Sequence, residues 1–230
     1  MAVSRTSKGV VMCGLFLLAI IIDQVIKIEV KTNMCYHESI KVFNWFYISF
    51  IENEGMAYGA TFINKMALTI FRILAVIVLG YYLFKQVAKG ARWVYLVCLT
   101  LVMAGALGNL IDCLFYGMVF SESNFSWPSE FVPWGTGYAD MGYGRVVDMF
   151  YFPLIETTWP DWVPFYGGER FVFFEPIFNF ADACISCGVV AVFIFCRKEL
   201  SSISFSNDDE EKKKEEQAEP TEEGNQEKCE

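Results

Sequence analysis

The sequence has little of what most hydrolytic and nucleotide-binding sites require. Its only histidine is His37, which excludes H-E-x-x-H zinc sites and other sites built from several histidines. A serine–histidine pair would depend on His37, and no G-x-S-x-G turn accompanies it. Neither a Walker nor a Rossmann glycine pattern occurs. The sequence therefore gives no indication of a metal or of any other cofactor.

Basic residues are too few to form a nucleic-acid-binding face. Of the net charge of −9, residues 207–230 carry −7, with eleven acidic residues and four lysines. The remaining chain is nearly neutral, which excludes nucleic acid as a partner because no basic face is left to neutralise phosphates. The composition of residues 201–230 predicts a disordered, acidic cytoplasmic tail.

Long apolar runs, by contrast, are abundant. Hydrophobic residues make up 54% of the chain and the mean hydropathy is +0.35, which is high for a soluble domain. A helix needs about 20 mostly apolar residues to cross a bilayer. Residues 1–200 therefore predict an all-α membrane domain with outer loops at about 29–65 and 116–175, and with four spans at about residues 9–28, 66–84, 93–115 and 176–196.

Lysine and arginine predict the orientation of these spans. They concentrate in the short flanks on one side of the predicted membrane, at Arg5, Lys8, Lys85, Lys89, Arg92, Arg197 and Lys198. The positive-inside rule then places both termini in the cytoplasm and both long loops outside. A cleaved signal peptide is the alternative for the first apolar run, but Asp23 and Gln24 stand where small residues would precede the cleavage site.

Polar residues recur near the outer ends of the predicted spans, where their burial is costly and is a reason to look for function. Two helical pairs are Asp23 with Lys27 and Asn109 with Asp112, the second following Gly105 and Gly108, which permit close helix approach. For the first pair, a structural ion pair and direct chemistry by the lysine are both open. For the second, structural and substrate-positioning roles are both open.

Carboxylates also gather at this boundary. Asp148 lies in a hydrophobic stretch of the outer loop, and Asp182 follows Asn179 at the start of the fourth span. Two carboxyl groups held close together share a proton, so that one acts as a general base toward water and the other as a general acid. The residues alone thus favour an aspartic protease chemistry.

Five short motifs resemble those of the lipoprotein signal peptidases, the signal peptidase II family, over roughly residues 10–196. They occur in the family's order: D-Q-x-x-K at residues 23–27, N-x-G-x-A-[FY]-G at 53–59, G-N-x-x-D at 108–112, V-V-D at 146–148 and F-N-x-A-D at 178–182. The resemblance implies that Asp148 and Asp182 are catalytic. It further implies substrate-positioning or structural roles for Asp23, Lys27, Asn53, Gly55, Gly108, Asn109, Asp112 and Asn179.

The resemblance also implies a fold, a reaction and a place in the cell. The fold is a four-helix membrane bundle with a small extracytoplasmic β-cradle and an outer loop or helix, and residues 43–51 fit a cradle strand. The reaction is hydrolysis of diacylglyceryl-modified prolipoproteins before the modified cysteine. The place is the bacterial cytoplasmic (inner) membrane, with the active site near the outer leaflet. Membrane lipids and cyclic peptide inhibitors of the globomycin type are the other partners, and no cofactor is implied.

Three departures from the family pattern matter. The arginine that follows G-N-x-x-D is Cys113 here, and Arg145 is a candidate replacement. Met149 replaces the phenylalanine after V-V-D, and residues 113–147 form an unusually long connection. Cys113 keeps open the alternative of a catalytically inactive, lipopeptide-binding relative. A small-solute transporter is disfavoured, because its polar groups would lie near the midplane instead of at one boundary.

Overall fold

The computed structural model describes residues 5–54 and 65–201. The helices are α1 (Arg5–Asn33), α2 (Lys65–Lys89), α3 (Trp93–Ile111), α4 (Gly117–Val119) and α5 (Phe180–Phe195), and a π-helical turn (Asp112–Tyr116) joins α3 to α4. Gly55 and the acidic tail from residue 202 onward, both subjects of predictions above, lie outside the described residues.

Three helical segments of the described chain are long and apolar enough to cross a membrane: Thr6–Asn33, Lys65–Lys89 and Trp93–Val119. The predicted fourth span, α5, has 16 residues and is about 24 Å long, against about 30 Å for a bilayer's hydrocarbon core. It begins at Phe180 and not near residue 176, because Asn179 is extended and caps the helix. Three of the four predicted spans are therefore confirmed as candidates by length and composition.

The boundaries of all three long spans differ from the prediction, and α2 ends at Lys89, five residues beyond its predicted end. Helix α1 continues to Asn33, five residues beyond its predicted end, so Lys31 lies on the helix and not in the outer loop. Lys31 is fully buried and forms an ion pair with Glu52. The negative charge of Glu52 neutralises the lysine charge, so the helix can continue past the apolar run. The third span continues past residue 115 to Val119.

Small residues allow α3 to approach its neighbours closely, as predicted. A Cβ added at Gly105 would lie 2.3 Å from the carbonyl oxygen of Ala181, and one added at Gly108 would lie 2.6 Å from Oδ2 of Asp23. Both distances are far shorter than any van der Waals contact, so a larger residue at position 105 would push α5 away, and one at position 108 would displace the Asp23 carboxylate. The outer end of α3 is thereby held directly against α1 and α5.

Two small antiparallel sheets complete the structure. Strands β1 (Ser39–Phe43), β2 (Phe46–Asn53) and β3 (Val146–Tyr151) form a sheet with β2 in the centre, and β4 (Ile155–Thr158) pairs with β5 (Arg170–Phe173). The first sheet corresponds to the predicted cradle, although residues 43–51 are the end of one strand, a turn and most of the next. The second sheet was not foreseen.

The first sheet packs on the ends of the helices. Val30 of α1 and Met34, which directly follows this helix, form a buried cluster with Phe50 of β2 and with Val147 and Met149 of β3. Since side chains alternate along a strand, Val147 and Met149 face this cluster while Asp148, between them, points to the other side. Packing of the sheet on the helix ends thus fixes the position of Asp148 relative to α1, α3 and α5.

Candidate active site

Asp148 lies in the middle of β3, opposite Ile51 of β2. It is only 4% exposed, and its Oδ1 accepts a hydrogen bond from Nδ2 of Asn179 at 2.7 Å. Asn53, at the end of β2, also hydrogen-bonds to its carboxylate. The aspartate predicted from its apolar surroundings therefore has two amide partners, both of them predicted site residues.

Asp182 lies in the first turn of α5 and forms a capping box with Asn179. The Asp182 backbone amide donates to Oδ1 of Asn179 at 2.9 Å, while the Asn179 amide donates to Oδ2 of Asp182 at 3.4 Å. Two backbone amides at the helix start, which have no carbonyl acceptor within the helix, thus each find a hydrogen-bond acceptor. A carboxylate in this position is also stabilised by the positive end of the helix dipole.

A short backbone pairing brings the two aspartates together. The amide of Phe150 on β3 donates to the carbonyl of Phe178 at 2.7 Å, and the amide of Phe178 donates back to Phe150 at 3.1 Å. Asn179 follows directly, so its side chain reaches Asp148 with its amide nitrogen and Asp182 with its amide oxygen. One asparagine thus connects residues that lie 34 positions apart in the chain.

The surroundings of Asp148 disfavour its ionised form. Burial raises the pKa of its carboxyl group, and the negative charge of Asp182 raises it further, whereas the hydrogen bonds from Asn53 and Asn179 lower it in part. The resulting pKa is about 7, against an ordinary value of 3.8. A carboxyl group that holds a proton near neutral pH, beside a second carboxylate, is the arrangement that general acid–base hydrolysis requires.

Asn109 orients Asp182 from the side of α3. Its Nδ2 donates to Oδ1 of Asp182 at 2.7 Å, and its Oδ1 accepts a hydrogen bond from Nζ of Lys27 at 2.8 Å. Because lysine only donates, Lys27 fixes which end of the Asn109 amide faces Asp182. Lys27 therefore affects Asp182 indirectly, by orienting Asn109.

Lys27 itself is the centre of a buried ion cluster. Its ammonium lies 2.9 Å from Oδ2 of Asp23 and 2.7 Å from Oδ2 of Asp112, and all three side chains are almost completely buried. The other oxygen of Asp23 accepts the Ala181 amide at 2.9 Å, and Asp112 accepts the Val147 amide at 3.4 Å. The cluster thus holds the start of α5 and the start of β3, the two elements that carry Asp182 and Asp148.

Gln24 is a site-supporting residue that the sequence did not single out. Its Nε2 donates to Asp23 at 3.1 Å and to Asp112 at 3.0 Å, while its Oε1 accepts from the Tyr116 hydroxyl at 3.2 Å. The indication of this role in the sequence was the position of Gln24 within the D-Q-x-x-K motif.

A second charge cluster lies beside the first and was also missed. Lys31, one helical turn beyond Lys27, is buried against the carboxylate of Glu52, and Ser123 donates to the same carboxylate at 2.8 Å. Arg145 binds Glu52 at 3.1 Å as well. Burial alone would raise the pKa of Glu52, but the Lys31 charge and the hydrogen bonds of Lys31, Ser123 and Arg145 hold it below its ordinary value.

Arg145 therefore contacts carboxylates other than those of the aspartate pair. Its guanidinium binds Glu52, Glu54 and Glu122. At Cys113, where the family pattern has an arginine, the neighbouring guanidinium is that of Arg72, whose Nη1 lies 2.7 Å from the cysteine sulfur. The proposed replacement of the family arginine by Arg145 stays a prediction.

Comparison with known proteins identifies the family. The family model described as Signal peptidase (SPase) II matches residues 15–197. The chain belongs to the signal peptidase II family. The resemblance inferred from the five motifs is thereby confirmed.

Relatives and solved structures agree with this assignment. The lipoprotein signal peptidase of Porphyromonas gingivalis is 44% identical over 219 residues, covering 95% of this chain and 96% of that protein. The lipoprotein signal peptidase of Amoebophilus asiaticus is 35% identical over 195 residues, covering 81% and 78%. A bacterial membrane enzyme solved by the in meso method at 1.9 Å resolution is 25% identical, with a TM-score of 0.54 over 80% of this chain and 90% of that one.

Membership in the signal peptidase II family fixes the class of enzyme and its setting. The family consists of aspartic protease hydrolases, and its match to a chain with several apolar helices makes this protein a multi-pass protein of the bacterial inner membrane. The roles of individual residues rest on the contacts described above.

Proposed function

We propose that this protein is a lipoprotein signal peptidase that removes signal peptides from prolipoproteins with Asp148 and Asp182 as its catalytic pair. The observation that carries the proposal is the junction at Asn179, whose side chain hydrogen-bonds to Asp148 and to the backbone of Asp182. The buried hydrogen bonds and ion pairs that hold the two aspartates in place argue against an inactive relative. An aspartate pair without catalytic use would be a costly feature to hold in place.

The contacts divide the roles between the two carboxyl groups. Asp182 accepts hydrogen bonds from Asn109 and from the Asn179 amide and lies at a helix start. Asp148, with its pKa of about 7, holds the shared proton. Asp182 is then the general base and Asp148 the general acid.

The reaction follows from these roles. Asp182 takes a proton from a water molecule as the water oxygen forms a bond to the scissile carbonyl carbon, and Asp148 gives its proton to the carbonyl oxygen. The tetrahedral intermediate then collapses: one of its two hydroxyl groups returns a proton to Asp148, the carbon–nitrogen bond breaks, and the amine of the cysteine leaves with the proton that Asp182 had taken. Asp148 is then protonated and Asp182 ionised, as at the start.

The substrate class follows from the position of the pair at the edge of the bundle. A diacylglyceryl group keeps its cysteine at the membrane surface, since each buried methylene contributes about 0.8 kcal/mol. The bond on the amino side of that cysteine then lies at the depth where β3 and α5 present the aspartates. Cyclic peptide inhibitors of the globomycin type would compete for the same site.

The topology proposed from the sequence is four spans, with α5 as the fourth, both termini in the cytoplasm and the aspartates near the outer leaflet. Two contacts support it. Lys8 near the start of α1 donates to the carbonyls of Gly90 and Ala91 after α2, and Arg92 pairs with Glu199 after α5 at 3.1 Å. The start of α1 and the residues just after α5 are therefore near the loop between α2 and α3, on the side of the basic residues, which supports the proposed topology.

The test is cleavage of a defined prolipoprotein by the purified protein. We expect a cut immediately before the diacylglyceryl-modified cysteine, located by mass spectrometry of both products, and no cut in the same precursor that lacks the lipid. Binding of the lipidated precursor without cleavage would contradict the proposal and would favour the lipopeptide-binding alternative. Equal cleavage with and without the lipid would contradict the proposed substrate class.

A further inference from the structure

The segment between Asp148 and Asp182 carries a hairpin to which the reaction assigns no role. It comprises β4, β5 and their connection, residues 155–173, and we refer to it as the outer hairpin. Its strands pair in a regular antiparallel register from Ile155 opposite Phe173 to Thr158 opposite Arg170. All four residues of β4 are exposed. A lone two-stranded hairpin is marginally stable in water, so this one needs a surface to lie on.

The two faces of the outer hairpin differ in chemistry. Because neighbouring side chains on a strand point to opposite faces, Ile155, Phe171 and Phe173 share one face, and Trp159 packs on Phe171 with ring centroids 4.8 Å apart. The opposite face carries the ion pair of Glu156 and Arg170, at 3.2 Å and largely exposed. The hairpin is therefore amphipathic, with an aromatic side and a charged side.

The connection between the strands adds two exposed aromatic rings. Trp162 is 81% exposed and Phe165 is 96% exposed. Phe165 has a φ of 69°, in the left-handed region that is unfavourable for a bulky residue. Backbone hydrogen bonds from Gly167 to Val163 and from Glu169 to Tyr166 close the turn around it. Phe165 is thus a large apolar side chain that is exposed from a strained backbone position.

Lipid is the surface that fits this arrangement. Aromatic residues with an apolar body are enriched where membranes meet water, and both ends of the outer hairpin lead into elements beside the bundle. Leu154 donates to the carbonyl of Phe173 at 3.1 Å at its base, and Phe152 stacks on Phe178 with centroids 5.6 Å apart. The charged residues of the hairpin are Glu156, Asp161, Glu169 and Arg170, whose net negative charge favours a zwitterionic over an anionic surface.

We propose that the outer hairpin lies on the membrane surface beside the active site, with Ile155, Trp159, Phe171, Phe173 and the exposed rings of Trp162 and Phe165 immersed among lipid head groups and upper acyl chains. The ion pair of Glu156 and Arg170 faces water. The occupant of the aromatic face is lipid and not another protein.

Tryptophan fluorescence in vesicles tests this placement. The full protein is reconstituted in phosphatidylcholine vesicles with and without lipids brominated near the head-group end of the acyl chains, which quench only tryptophans in the membrane. We expect Trp162→Phe to remove part of the bromolipid-quenched emission and to leave the emission quenched by aqueous iodide unchanged. If the variant loses iodide-quenched emission and keeps all bromolipid quenching, the hairpin projects into water and the proposal is wrong.

A matched pair of added tryptophans separates the two faces. In the Trp162→Phe background, Phe173→Trp on the aromatic face is expected to be quenched by bromolipid, and Thr158→Trp on the charged face by iodide. Equal access of iodide to both tryptophans in lipid-only vesicles would overturn the proposal and point to a partner protein. All three substitutions are at half-exposed or exposed positions, and the measurement does not depend on enzymatic activity.

Discussion

Replacing Asp148 by asparagine is expected to abolish activity and to stabilise the fold, by an amount that depends on pH. The pKa of Asp148 is about 7 in the folded protein against an ordinary value of 3.8. Such a carboxyl group contributes stability that is complete below pH 3.8 and is lost as the pH rises toward 7. Each pKa unit is worth about 1.4 kcal/mol, so ionising Asp148 costs the folded state up to about 4 kcal/mol.

Asparagine at position 148 avoids this cost and keeps the acceptor oxygen for Nδ2 of Asn179. Thermal unfolding of the two proteins in the same detergent should therefore differ little at pH 4 and by several degrees at pH 8, with the variant the more stable. Asp140→Asn, at an exposed aspartate, is the control and should shift the unfolding temperature by the same small amount at both pH values. A variant that is less stable than wild type at pH 8, or a difference that does not grow with pH, would refute the reasoning.

Three further predictions concern the same site. The value of kcat/KM should fall as the pH rises above about 7, because Asp148 then loses the proton that it donates; a pH–rate profile that stays flat to pH 9 would contradict this role. Lys27→Met should destabilise the protein by about 3–5 kcal/mol in thermal or denaturant unfolding, because it leaves two buried carboxylates without their cation; unchanged stability would contradict the cluster. Gly105→Ala should lower both stability and activity, because its Cβ would collide with the Ala181 carbonyl, whereas Gly14→Ala, with nothing within 4 Å, should change neither; equal effects of the two would contradict the close packing of α3 and α5.

Contacts within one helix or one motif could be predicted from the sequence. Asp23 and Lys27 are four residues apart on α1 and do form an ion pair at 2.9 Å. Asn179 and Asp182 are three residues apart and form a capping box. The first contact follows from the spacing of side chains on a helix, and the second from the way an N-cap residue and the residue three positions later bond to each other's backbone amides.

Contacts between distant segments could not be predicted. The pairing of Lys31 with Glu52 depends on the register of β2 against the end of α1, and no periodicity encodes that register. The approach of Arg72 to Cys113 joins α2 to the π-helical turn, across 41 positions of the chain. The outer hairpin was missed for another reason: each of its strands has only four residues, which is too short for a clear alternating pattern.

The most direct test of the account is the activity of Asp148→Asn and Asp182→Asn, each purified beside wild type and supplied with a diacylglyceryl-modified prolipoprotein. We expect wild type to cut before the modified cysteine, and both variants to bind the precursor, to unfold cooperatively and to release no product. Measurable turnover by either folded variant would contradict the assignment of the catalytic pair.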